Sequence, residues 1–372
     1  MNISTANQSQ ETKACKPSLI GFSRKDLSDI AVDMGQEPFK GLQLFKWIYN
    51  KGSRDFESMT DLPQDFRNKL ITAYSLKRPT IKNEYISEDG TCKWLASFED
   101  GQQAETVMIP EGNRITLCIS SQVGCTLTCK FCYTGTQRLV RNLSAGEIVG
   151  QVLVAKEQIN NCVYKNTKEK KMISNIVFMG MGEPLYNFDN IKKSVEIIKD
   201  KNGIAFSHKK ITLSTSGIIP QIKKCGEEIG LNLAISLHSP EDAIRTQIMP
   251  INKKYPIKEL IKACKIYTQV SNTKLVTFEY VMLKNLNDSD EDAKKLVKLV
   301  KGVECKFNLI PFNGWPNAPF QCSSNNRILR FQKILKDSGL NCFIRTPRGL
   351  DILAACGQLK TPSVIPKHRK NR

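Results

Sequence analysis

Cys125, Cys129 and Cys132 fall within one short stretch, Cys125-Thr-Leu-Thr-Cys129-Lys-Phe-Cys132, with three residues between the first pair and two between the second. Thiolates are soft ligands, suited to iron-sulfur clusters or to zinc. A structural zinc site takes a fourth Cys or His, usually from a second paired set. No such pair occurs here: His208 and His238 stand alone, and His368 lies near the C-terminal end. On a four-iron, four-sulfur cluster, three protein thiolates would leave one iron open to another ligand.

Other polar residues gather at comparable places. Met179-Gly-Met-Gly-Glu-Pro184 carries glycines that allow a ligand close to the backbone, with Gly182 and Glu183 at its centre. Ser214 in TLSTSG, the run Ser236-Leu237-His238, and Asn313 in PFNGW follow in turn. Two more cysteines stand apart from the motif, Cys118 just before it and Cys356 in Asp-Ile-Leu-Ala-Ala-Cys-Gly. Each of these two, taken singly, reads as a buried structural thiol. Cys15, Cys92, Cys162, Cys225, Cys264, Cys305, Cys322 and Cys342 lack a partner at ligand spacing and read as small apolar residues.

The elements that must position these groups follow from periodicity. From residue 114 the pattern predicts strands at 114–121, 174–180, 210–216, 232–238, 274–282, 306–312 and 341–346. Helices are predicted between them at 144–158, 190–200, 219–229, 257–269, 288–301 and 324–337. Ser144 with Glu147 forms a capping box that fixes the first helix start. This alternation makes an α/β fold with a parallel sheet, doubly wound or a full or partial barrel, and such sheets place their chemistry at the strands' carboxyl ends. Each polar motif above falls at one of those ends.

Ahead of this region, residues 19–78 read as a helical accessory module. Phe39, Leu42, Phe45, Ile48 and Tyr49 recur at helical spacing, and Pro63 opens a helix holding Phe66 and Leu70. Residues 79–112 read as a β-meander linker whose turns are Asp89-Gly90 and Asp100-Gly101. Residues 1–18 are expected to be disordered, 113–356 to form the main domain, and 357–372 to be a basic tail.

Composition bounds the rest. The 372 residues carry a formal net charge of +19, which suits a polyanionic partner such as nucleic acid or reflects Lys-rich solvated faces. Lys165 to Lys171 and the tail are the most basic stretches. No run of about 18 apolar residues appears and the N-terminal stretch lacks the order of a signal peptide, so a cytoplasmic protein with no membrane segment is expected. Thirteen cysteines in such a chain suggest metal or redox chemistry rather than a disulfide framework.

The C-x3-C-x2-C spacing with Phe131 before its last cysteine resembles the radical S-adenosylmethionine (radical SAM) superfamily. Adding Cys118, Cys356, Glu105, TDLP at 60–63, GMGEP, TLSTSG, SLH and AACGQL, the sequence from about residue 20 to 360 resembles the radical SAM methyltransferases of 23S ribosomal RNA, the RlmN type. The resemblance implies a partial (β/α)6 barrel and one 4Fe-4S cluster on Cys125, Cys129 and Cys132. It assigns S-adenosylmethionine to Gly182, Glu183, Ser214, Ser236, Leu237, His238 and Asn313. Carbon 2 of adenine lies between two ring nitrogens and is electron-poor, so a displacement reaction fails there and a radical route is needed.

In that family one S-adenosylmethionine methylates the cysteine corresponding to Cys356 and a second provides the radical, two per turnover. Cys118 then frees the product by forming a disulfide with Cys356, while Glu105 or Cys118 takes the proton from carbon 2. The implied targets are adenosine 2503 of 23S rRNA and adenosine 37 of some tRNAs, with a flavodoxin or ferredoxin as electron donor and a monomeric enzyme. Two other readings share these motifs: methylation of the same adenosine at carbon 8, and a non-catalytic RNA-binding protein with a structural cluster. An enzyme activating a glycyl radical fits the cluster motif but explains neither the charge nor Cys118 and Cys356.

Overall fold

The computed structural model describes residues 16–159 and 172–361. The N-terminal stretch read as disordered, the basic run Lys165 to Lys171 and nearly all of the basic tail lie outside them, as do Cys15, Cys162 and His368.

The helical module comprises α1 (Arg24–Asp33), α2 (Pro38–Phe45) and α3 (Gln64–Ala73), with a π-helical turn over Lys46–Lys51. Ser23 and Asp26 cap α1 reciprocally, and Pro38 occupies the first turn of α2, where a missing N–H costs nothing. The buried stripe runs through Leu44, Phe45, Ile48 and Tyr49 rather than through Phe39, which is 55% exposed. Phe39 sits in the first turn, one step off the line of the others. The Tyr49 hydroxyl accepts from the Gly21 N–H (2.8 Å) and donates to the Phe22 carbonyl (2.9 Å), pinning the entering chain to the module.

The meander is β1 (Thr80–Ile86), β2 (Cys92–Ser97) and β3 (Gln103–Glu111). Gly90 and Gly101 take φ of +82° and +79° at its two turns, as the Asp-Gly pairs require. It does more than bridge: β3 pairs antiparallel with β4 (Arg114–Cys118), so the meander continues the main sheet.

After β4, the two-residue ladder of β5 (Gln122–Val123) and β6 (Arg141–Asn142) closes the loop that holds the cysteine motif. The chain then alternates α4 (Ala145–Gln158), β7 (Asn175–Phe178), α5 (Phe188–Lys199), β8 (Ile211–Thr215), α6 (Ile219–Glu228) and β9 (Asn232–Ser236). It continues through α7 (Asp242–Ile248), α8 (Ile257–Val270), β10 (Val276–Met282), α9 (Asp290–Leu299), β11 (Cys305–Pro311), α10 (Asn325–Asp337) and β12 (Asn341–Ile344). The order across the sheet is β1-β2-β3-β4-β7-β8-β9-β10-β11-β12, with β4 and β7 to β12 parallel and the edges unjoined. This is a partial barrel. The capping box of Ser144 and Glu147 starts α4 where the sequence places it, and Ser289 with Asp292 does the same for α9.

The core runs between this sheet and its helices, through Leu117, Ile176, Leu213, Leu233, Phe278 and Phe307. Cys92, Cys225, Cys264, Cys305 and Cys342 are buried within it, as small apolar residues would be. Among the described residues no helix is long and apolar enough to cross a membrane.

Candidate active site

The cysteine loop leaves β4 at the carboxyl end of the parallel strands and folds back on itself. The Cys132 N–H donates to the Cys129 carbonyl (3.2 Å) and the Gly135 N–H to that of Cys132 (3.0 Å). Leu127 and Cys129 pack with Ile248, Met249, Val281, Leu283 and Phe312 in a second apolar cluster, apart from the main core. That cluster anchors the loop where few sheet hydrogen bonds reach it.

The loop forms one wall of a cavity of about 1030 Å³ including its mouth. Cys125, Cys129 and Cys132 line it, and so do Gly182, Glu183, Ser214, Ser236, His238, Asn313 and Cys356. Leu237 does not: its side chain is fully buried in the core, and its N–H donates to the Glu279 carbonyl (3.1 Å). Gly182 has φ of +100°, and a Cβ there would meet Gln122 at 2.5 Å, so only glycine fits this turn.

Glu183 is buried, and burial pushes its carboxyl up despite N–H donors from Ser216 (2.8 Å) and Leu185 (3.1 Å). Asn313 donates through Nδ2 to the Cys356 carbonyl (3.1 Å), so it also holds the segment bearing that thiol.

His238 has φ of +58°, packs edge-on against Phe131 with ring centroids 4.5 Å apart, and accepts the Val281 N–H at Nδ1 (3.0 Å). Burial and then Arg245 push its imidazole down to about 3, so it is neutral. An unfolded chain gains a proton on this histidine below about pH 6.5. The folded state does not until far lower, so stability falls as pH drops through that window. His238→Asn keeps an acceptor near Nδ1 and tolerates positive φ. Urea unfolding at pH 6.5 and 5 should show the parent losing about 2 kcal/mol more than this variant; equal losses would mean that His238 is not held neutral.

Cys118 and Cys356, 238 positions apart in the chain, line one smaller cavity together with Met179, Asn313 and Arg345. It shares Cys356, Asn313 and Arg345 with the larger one. Cys118 is buried, whereas Cys356 leaves part of its surface to solvent while lining the walls of both cavities. Burial first, then the neighbouring Cys356, pushes the Cys118 thiol up to about 12; burial pushes Cys356 up to about 11, with Arg345 opposing in both cases. Arg345 is the cation that acts on both thiols, and its guanidinium lies 3.7 Å from the Glu279 carboxylate. Neither Arg345 nor Glu279 belongs to a motif, and only the fold brings them to the site.

Across the sheet, Cys118 pairs with Val107 and Val107 with Lys93, which places the three on one face. Glu105 stands two residues from Val107 and therefore shares that face. Its Oε1 lies 3.1 Å from Lys93 Nζ and its Oε2 accepts the Lys360 N–H (2.8 Å). Burial pushes the Glu105 carboxyl up, against the pull of Lys93.

Comparison with known proteins settles the family. Residues 119–297 match the radical SAM superfamily, and residues 18–75 match the ribosomal RNA large subunit methyltransferase N-terminal domain. A Rhodospirillum rubrum protein named dual-specificity RNA methyltransferase RlmN is 54% identical over 346 residues, 93% of this chain and 81% of that one. The chain belongs to the RlmN family of radical SAM RNA methyltransferases. An RlmN of Rhodopseudomonas palustris is 52% identical over 357 residues, covering 93% and 90% of the two chains. The crystal structure of a radical SAM methyltransferase from Sphaerobacter thermophilus superposes with a TM-score of 0.85 at 40% identity, over 92% of this chain and 99% of that one.

The RlmN family implies a 4Fe-4S cluster and S-adenosylmethionine, and the residues present fit both. Three thiols on one loop line a cavity that Gly182, where no Cβ fits, and the buried Glu183 carboxyl also line. Burial pushes the Cys125 thiol up to about 12 and also raises Cys129 and Cys132, so these groups need an adjoining cation to become thiolates. Among the described residues no three His, Cys, Asp or Glu side chains converge on a single-ion site.

Proposed function

We propose that this enzyme methylates carbon 2 of adenosine 2503 in 23S rRNA and of adenosine 37 in some tRNAs, with Cys356 as methyl carrier and Cys118 as the releasing thiol. The observation that carries the reading is the meeting of Cys118 and Cys356 on one cavity that opens into the one lined by the cluster cysteines. Two thiols brought together from opposite ends of the domain have no use in simple methyl displacement onto RNA.

The bound cofactors supply the methyl group and the one-electron chemistry that takes a hydrogen atom from it. The chain's residues do the rest. Cys356, whose thiol burial raises while the Arg345 guanidinium opposes that shift, accepts the methyl as its proton leaves and presents it to the base. The adenine must be unstacked to reach this depth, which suits RNA loops. Glu105 takes the proton from carbon 2, since its raised carboxyl favours holding one, while the adduct gives its unpaired electron back to the bound cofactor, so that the ring is aromatic and closed-shell again. Cys118 then attacks the Cys356 sulfur: the S–S bond forms, the S–C bond breaks, and the carbon takes a proton to complete the methyl.

A formal charge of +19 supports RNA as the partner, gripped through phosphates by the helical module and other basic faces. We further read the enzyme as a cytoplasmic monomer using two S-adenosylmethionine per turnover, with a flavodoxin or ferredoxin as donor. Peptide mass spectrometry of purified holoprotein should find a methyl group on Cys356. An unmodified Cys356 in enzyme that still methylates RNA would overturn the carrier assignment, and a methyl at carbon 8 of the product would overturn the regiochemistry.

A further inference from the structure

Lysine and glutamate are seldom buried, and an ion pair taken out of water is tolerated only when the rest of its donors and acceptors are used. Lys93 on β2 and Glu105 on β3 form such a pair, their side chains 9% and 5% exposed. The remaining bonds of the pair go to one segment. Lys93 Nζ donates to the Leu353 carbonyl (3.2 Å), and Glu105 Oε2 accepts the Lys360 N–H (2.8 Å). These two points bracket Cys356.

The turn between β1 and β2 reaches the same segment. Asp89 Oδ2 accepts the Gly349 N–H (2.9 Å) and Ser87 Oγ donates to Asp351 Oδ1 (2.6 Å). From the opposite side the cysteine loop grips it, through the Tyr133 N–H to the Gly357 carbonyl (2.6 Å) and Thr134 Oγ1 to the Leu359 carbonyl (2.6 Å). Leu353 itself has φ of +52°, which a leucine seldom adopts unless its surroundings impose it. The residue in that conformation is the one whose carbonyl meets the buried ammonium.

We infer that Lys93 is a positioning residue: one ammonium ties Glu105 to the segment that presents Cys356, so the meander fixes where the methyl carrier stands. The inference rests on reading Cys356 as that carrier. Both Glu105 oxygens are engaged while the segment is seated. The carboxylate and the segment that bears Cys356 are therefore held to each other through both oxygens, so a change in one is felt by the other.

The test uses full-length protein with its cluster reconstituted, as the parent, K93M, K93R and the double variant K93M/E105Q, in which no unpaired charge is buried and folding is retained. Hydrogen exchange of the amides in 353–360 should speed up about ten- to hundredfold in K93M and in the double variant, the range expected for losing a hydrogen bond to a charged group. K93R, whose guanidinium can make both bonds, should keep its protection, and amides of β7 to β9 should not change in any variant. In K93M, methyl occupancy of Cys356 should fall with the protection, and the KM for RNA should hold while kcat drops; the double variant is read by exchange and methyl occupancy alone. Unchanged exchange at 353–360 in both K93M and the double variant overturns the tether. If the segment loosens as described but Cys356 of the parent carries no methyl, the tether stands and the carrier reading fails.

Discussion

Cys118→Ala should turn a catalyst into a trap. With Cys356 joined through the methyl carbon to the base, no second thiol remains on that cavity to attack its sulfur, and the RNA stays attached to the protein. Incubated with S-adenosylmethionine, a reductant and labelled RNA, the variant should give a band on a denaturing gel that carries both protein and RNA. Free methylated product should fall by on the order of 10³-fold or more, as when a nucleophile is removed. Cys118 is 7% exposed, and the loss of one sulfur from the core leaves the fold in place. The cluster's absorption spectrum should therefore be unaltered, which separates a lost step from a lost site. Free product released at the parent's rate would exclude Cys118 as the releasing group.

The largest effect on stability is expected at Arg245 in α7. Its side chain is completely buried, and burial lowers its guanidinium only to about 10, so it carries a charge at neutral pH. It donates to the carbonyls of Leu237 (3.0 Å), Ser216 (2.8 Å) and Ser236 (2.9 Å) and to Asn252 Oδ1 (2.8 Å). The three carbonyls sit at the carboxyl ends of β8 and β9, where the cavity wall begins, and Asn252 lies in the short helix after α7. Arg245→Met fills much of the space but strands all four acceptors. Denaturant unfolding should show a loss of about 3–5 kcal/mol, the upper range for a single substitution. Affinity for S-adenosylmethionine should weaken as Ser236 and Ser216 lose their fixed positions. Arg245→Lys should recover part of the stability, because an ammonium reaches fewer of the four. A loss below about 0.5 kcal/mol in the methionine variant would mean that water replaces the guanidinium without cost.

What could be read before folding was what local chemistry writes into adjacent residues. The cysteine spacing, the GMGEP turn and the Ser144 cap each depend on neighbours a few positions apart; alternation was enough for a parallel α/β sheet, and the family resemblance chose the partial barrel. Lys93, Arg245 and Arg345 were not legible, because among 55 Lys and Arg nothing local marks the few that fold inward. Lys93 meets the Leu353 carbonyl across 260 positions, a separation no pattern encodes. Helix α7 has seven residues, too few to show a period, and it supplies Arg245. The junction of β3 with β4 escaped notice for a related reason: alternation tells which residues form strands but not which strands pair.

That junction also decides how the chain can be divided. Two family matches suggest separable modules, one ending at residue 75 and the other starting at 119. Cutting between β3 and β4 would strip β4 of its antiparallel neighbour and expose a row of unpaired backbone amides and carbonyls beside Cys118, the kind of edge on which chains aggregate. The same cut would remove both Lys93 and Glu105 from beneath the segment that bears Cys356. The smallest self-sufficient unit of this enzyme therefore begins no later than β1, and its catalytic domain is larger than its family signature.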